Sequence, residues 1–121
     1  MAEEQSSVEQ RYQKIWQAVA AIPVGRVMSY GQVAAAAGMP RRARFVSKAL
    51  KEAPDDLQLP WYRVIRSDGS IAFPAGTQAH RKQARLLKAE GVEVKQGKVR
   101  LKPEQQVDDL DFLLWSGQAV D

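Results

Sequence analysis

Ser29 to Lys51 is the stretch that most restricts how this chain can fold. Ser29 and, three positions on, Gln32 have the form of a capping box, in which side chain and backbone satisfy each other at a helix start. The alanine-rich run from Tyr30 to Ala37 follows, Gly38 ends it, and Pro40 opens another. A short helix, a Gly-Met-Pro turn and a second helix are what a helix-turn-helix requires. On a wheel of residues 41–51, Ala43, Val46 and Leu50 share one face, and Arg41, Arg44, Lys48 and Lys51 share the opposite one, with Phe45 at its flank. Solvated helices ordinarily mix signs, because opposite charges at i,i+4 stabilise and like charges repel. A face of one sign therefore points to contact with DNA.

The wider charge pattern has the same sense. The formal net charge is +4, yet all 18 Lys and Arg lie between Arg11 and Lys102, where only Glu52, Asp55, Asp56, Asp68, Glu90 and Glu93 oppose them. Both ends are acidic. On composition alone a generically basic soluble domain fits equally well; the clustering on one helix face decides for a polyanion. The chain has no cysteine and one histidine, His80, which excludes disulfides and thiolate zinc sites and leaves no metal or cofactor to expect. No apolar run approaches the roughly 18–20 residues that span a bilayer. The start Ala2-Glu3-Glu4-Gln5 lacks the basic opening of a signal peptide. The expectation is a cytoplasmic, monomeric protein with no membrane partner, and its 121 residues fit one domain.

Elsewhere the periodicity predicts few elements. Val8, Tyr12, Ile15, Trp16, Val19 and Ile22 recur at helical spacing and give a first helix from about Val8 to Ala21, stopped by Pro23 and Gly25. After a loop at 54–59, Ser67-Asp68-Gly69-Ser70 reads as a turn between short extended pieces near Val64-Ile65 and Ile71-Ala72. Thr77 can cap a helix over Gln78 to Glu90, with Ala79, Leu86 and Leu87 facing inward and Gly91 at its end. Val92 and Val94 before Gln96-Gly97, and Val99 and Leu101 after it, predict a small hairpin. The division expected is a flexible segment 1–7, a DNA-binding domain 8–102 and an acidic and apolar extension 103–121.

Six blocks then carry a resemblance: Ile22-Pro23-x-Gly25, Ser29-Tyr30-Gly31, Gly38-x-Pro40, Ala43-Arg44-x-Val46, Pro60-x-x-Arg63-Val64 and Leu86-Leu87-x-x-Glu90-Gly91. In order and approximate spacing they resemble the DNA-binding domain of O6-alkylguanine-DNA alkyltransferases, over roughly residues 11 to 95. In those enzymes a cysteine follows the proline of the Pro60 block and takes the alkyl group; here that position is Trp61. An indole cannot supply a thiolate nucleophile. The chain is thus similar to the alkyltransferase-like proteins, a non-enzymatic branch that binds O6-alkylguanine in duplex DNA and directs it to nucleotide excision repair. The resemblance implies a mainly α fold with a small β-hairpin, a winged-helix-like DNA-binding domain containing the helix-turn-helix.

It also implies roles. An arginine at Arg44 would fill the stack vacated by a flipped base, although a phosphate contact is the simpler use of such a side chain. Tyr30 would help rotate the 3′ phosphate, although an aromatic at a first helical turn is often a core edge. Arg41, Lys48, Lys51 and Ser67 would position the DNA backbone. Trp61, Tyr62, Leu50, Val64, Pro74 and Ala75 map onto the lesion pocket. Tyr62 stands where the enzymes have a relay histidine, and a phenol with a pKa near 10 is a poor general base; Glu90 can accept its hydroxyl. No catalytic residue is expected. Trp61 either offers an apolar surface to the alkyl group or fills the vacated pocket, and its chemistry alone does not separate the two. Pro74 and Ala75 lack the hydroxyls found there in the enzymes, which implies broad lesion selection by packing. The segment Asp108 to Trp115 reads as a packed C-terminal helix or a docking element for a repair protein. The competing reading of the whole chain is a winged-helix transcription regulator without lesion preference.

Overall fold

The first helix, α1, spans Ala2–Ala20 in a computed structural model that describes residues 2–100, with side chains from Val8 onward. It begins before Val8, where Ala2-Glu3-Glu4-Gln5 are residues of good helix propensity. The expected flexible segment 1–7 is thus helical from Ala2. Ile15, Ala18, Val19 and, just beyond the helix, Ile22 are buried at i, i+3, i+4 and i+7. The extension 103–121, including the expected C-terminal helix, lies outside the described residues.

The helix-turn-helix forms as the sequence predicts, with one difference at its second helix. Strand β1 (Met28–Ser29) runs into α2 (Tyr30–Ala36), where the Ser29 and Gln32 side chains and backbones bond reciprocally in the capping box. At the far end Gly38 takes φ +82°, and its N–H donates to Ala35 O while Met39 N–H donates to Ala34 O. This paired closure satisfies carbonyls that the helix end leaves over, and the left-handed residue it needs is a glycine. Helix α3 is Ala43–Glu52, starting three residues after Pro40. Arg41 has φ 68° and lies in the turn, so it does not extend the basic helix face as the wheel implied. Ala43 is exposed, and Ala49 joins Val46 in the core. Trp16 Nε1 donates to Ala49 O at 2.8 Å, tying α1 to α3.

Beyond α3, single 3₁₀ turns at Asp55–Leu57 and Trp61–Arg63 lead into β2 (Val64–Ile65). β2 pairs in parallel with β1, Met28 opposite Val64 and Ser29 opposite Ile65. Neighbouring strand residues point to opposite faces, and here that alternation divides the core. Met28 and Val64 enter a cluster with Ile15, Val19, Val33, Val46 and Ala49, whereas Val27 and Ile65 enter a second with Leu87, Val92 and Val99. The second cluster sits under α4 (Gln78–Ala89) and an antiparallel hairpin, β3 (Glu93–Lys95) and β4 (Lys98–Arg100). Val94 faces Val99 across it, and Gln96 and Gly97 both take the positive φ of a two-residue hairpin turn. Ile71, expected in a piece facing Val64-Ile65, bonds to Gly97 O. The result is mainly helical with a small β part.

Candidate nucleic-acid interface

A largely buried polar cluster is built from the Pro60 block and the end of α4. Arg63 keeps 9 % of its surface, and its guanidinium grips Glu90 with two bonds, Nε to Oε1 at 3.0 Å and Nη2 to Oε2 at 2.7 Å. Its Nη1 donates to Ile22 O at 2.7 Å. Glu90 also accepts the Tyr62 hydroxyl at 2.6 Å and the Gly25 N–H at 3.0 Å. Gly25 has φ +80°, a left-handed conformation that suits glycine. Behind the block, Gln83 Nε2 donates to Tyr62 O and Val64 O, both at 3.0 Å.

The electrostatics follow from this packing. Burial alone would raise the Glu90 carboxyl, but the bonds from Arg63, Tyr62 and Gly25 and the Arg63 charge outweigh it and hold the group below the usual carboxylate range. The Tyr62 phenol is pushed up, first by burial and then by its bond to Glu90. The hydroxyl therefore keeps its proton, donates a hydrogen bond to the carboxylate and cannot act as a base toward a nucleophile. Tyr62 also packs on the second core cluster, which makes it a structural neighbour of Trp61.

Trp61 points elsewhere. It is half-buried and meets two aromatic rings edge-on, Tyr62 at 5.8 Å and Phe73 at 6.0 Å between centroids. Pro74 and Ala75, expected in the pocket wall, are exposed immediately after Phe73, and Leu50 is half-buried against the first cluster. Val64, expected there too, is fully buried; it packs into the core and presents no free surface to a ligand. Sequence reasoning passed over Phe73, whose signal was an aromatic residue set just before the Pro74-Ala75-Gly76 loop.

The basic surface gathers at the start of α3. Arg41, Arg42, Ala43, Arg44, Phe45 and Lys48 line a shallow depression, with Phe45 half-buried as its apolar floor and in ring contact with Tyr12 at 5.3 Å. Arg42 is the N-cap residue and makes no side-chain capping bond. Lys51 is exposed one turn beyond Lys48. Tyr30 is half-buried against the first cluster; burial raises its phenol, and the Arg66 charge acts in the opposite sense. Arg66, which sequence reasoning also missed, reaches Tyr30 because it follows β2, the partner of the strand preceding α2. Ser67 is exposed in the turn closed by Arg66 and Ser70.

Residues 10–92 match the sequence profile of the 6-O-methylguanine DNA methyltransferase DNA-binding domain. The chain belongs to this family. Among its relatives is a DNA base-flipping protein of Escherichia coli, 49 % identical over 82 residues, which are 68 % of this chain and 62 % of that protein. Alkyltransferase-like protein 1 of Schizosaccharomyces pombe is 38 % identical over 89 residues, 74 % of this chain and 82 % of that one. The structure superposes on S. pombe Atl1 in complex with damaged DNA containing O6-carboxymethylguanine, with a TM-score of 0.71 and 36 % identity over 83 % of this chain and 96 % of that one. The alkyltransferase-like resemblance and the mainly helical fold are therefore borne out. The family match takes in α1 from residue 10 onward, α2, α3 and α4, the whole Pro60 block and every residue of the α3 depression.

Among the described residues no cluster of His, Cys, Asp and Glu could hold a metal ion, and no helix is long and apolar enough to cross a membrane.

Proposed function

We propose that this protein is a non-enzymatic sensor of O6-alkylguanine in duplex DNA, which flips the base, holds it against Trp61 and passes it to nucleotide excision repair. One observation carries the reading: within a single 3₁₀ turn, Tyr62 and Arg63 are locked to Glu90 while Trp61 keeps partial exposure beside Phe73. A cysteine enzyme needs a nucleophile and a base at this turn. Here the first is an indole and the second a phenol that keeps its proton and donates a hydrogen bond to a carboxylate.

The rest of the reading follows the family. Arg44, exposed at the start of α3, supplies a planar guanidinium to replace lost stacking when a base leaves the duplex. Tyr30 and Arg66 lie together where a backbone phosphate would be turned. Arg41, Lys48, Lys51 and Ser67 position the backbone without reading sequence. Residues 8–102 act as the DNA-binding unit in this reading, and the hand-over to excision repair rests on the resemblance to alkyltransferase-like proteins. The relatives named as base-flipping and damaged-DNA-bound proteins support it.

A gel-shift titration of two duplexes, identical except for one O6-methylguanine, tests the proposal. Tighter binding to the modified duplex is expected, with no label transferred to protein when the methyl group is radioactive. Equal affinity would instead favour the transcription-regulator reading.

A further inference from the structure

A second basic depression lies beside the one at α3. Arg11 and Lys14 of α1 and Arg42 of the turn surround it, and Ala37, Gly38, Met39 and Pro40 form its floor. Arg11 and Lys14 are exposed at i and i+3 and so share one face of α1. Arg42 lines both depressions, which makes the two a continuous basic band. None of the three cations is joined by a salt bridge to a described acid.

The floor suits a bulky anion. Gly38 presents no side chain, and a Cβ placed on it would meet nothing within 4 Å, so the space in front of the backbone is open. The neighbouring carbonyls of Val33, Ala34 and Ala35 already accept N–H groups of the turn. Three cations around one hollow repel each other. An anion relieves that repulsion. Continuity with α3, in a domain of a DNA-binding family, favours a nucleic-acid phosphate over an acidic protein segment.

We propose that the DNA interface extends past α3 onto α1, with Arg11, Lys14 and Arg42 forming a site for a backbone phosphodiester outside the lesion. This rests on the DNA-binding part of the proposed function and not on lesion choice. An Arg11→Gln/Lys14→Gln double variant removes two of the three charges at exposed positions, and a thermal melt coincident with wild type checks its fold. Affinity is measured for the duplexes with and without O6-methylguanine across a salt series. Each lost phosphate contact makes the slope of log K against log salt shallower by about 0.9, so loss of this one phosphodiester should take about 0.9 from the slope, equally on both duplexes. Between 50 and 200 mM salt the wild type should then weaken about threefold more than the variant. An unchanged slope overturns the proposal, as does a change confined to the modified duplex. So does loss of competition by polyglutamate with the DNA slope intact, which would assign the hollow to an acidic protein. If wild type binds both duplexes equally, lesion sensing fails while the slope still decides this inference.

Discussion

Glu90 and α3 place charge in opposite circumstances. Around Glu90, the Arg63 guanidinium, the Tyr62 hydroxyl and the Gly25 N–H close on one carboxylate with little surface left, both Arg63 and Glu90 side chains being about nine-tenths buried. Along the turn and α3, Arg41, Arg42, Arg44 and Lys48 face solvent with no acid lining their depression. The first arrangement spends its hydrogen-bonding capacity inside the protein and fixes geometry; the second leaves it for a partner. The Pro60 block shows a similar division, since Tyr62 and Arg63 belong to the closed cluster and Trp61 keeps part of its surface open. That division lets one short turn be both a structural anchor and a candidate lesion contact.

The largest expected effect comes from opening the closed cluster. Glu90→Ala strands a buried guanidinium and should cost about 3–5 kcal/mol of stability, read as a lower urea midpoint. A cost under about 1 kcal/mol would mean that water relieves Arg63 and that the cluster is not closed. The pH dependence carries the same information. The folded Glu90 carboxyl lies below its ordinary value of 4.5, so its contribution is complete above that value and is lost as pH falls through the lower folded one. Wild type should therefore lose stability through that acid window. Glu90→Gln should show a flatter profile there.

The two regions were not equally legible in the sequence. Elements defined by neighbours could be read: Ser29 with Gln32, Gly38 as a helix stop, Thr77 as a cap and Gln96-Gly97 as a turn all act within a few residues. The basic face could be read too, because its charges recur at helical spacing. Among contacts made across the chain, the Tyr62 bond to Glu90 was anticipated from the resemblance, and others were hidden. The β1–β2 pair joins two-residue strands 36 positions apart, too short for any periodicity to show. Burial of Arg63 and Gln83 runs against the usual exposure of such residues, and only the fold brings Arg63 to a carboxylate 27 residues away. Arg41 looked helical by count, but the turn needed a left-handed residue there.

Trp61→Ala tests the open side. Contact between an aromatic side chain and a base is worth about 1–3 kcal/mol, so affinity for the O6-methylguanine duplex should fall by that amount while affinity for the unmodified duplex holds. An increase in affinity would show instead that the indole blocks the pocket. The neighbouring ring gives a control, since Phe73 meets Trp61 edge-on and holds its orientation.

The smallest effect concerns Tyr62, at the boundary between the two regions. Tyr62→Phe removes the hydroxyl bond to Glu90 and keeps the ring in the second core cluster. The carboxylate oxygen it leaves is still held by Arg63 Nη2 at 2.7 Å, so the loss is that of one hydrogen bond and not of a stranded charge. Stability should fall by about 1 kcal/mol, and the lesion preference should not move. If the preference falls while stability holds, the phenol serves the lesion and Tyr62 belongs to the open surface with Trp61. The cluster around Glu90 would then be closed by Arg63 and Gly25 alone.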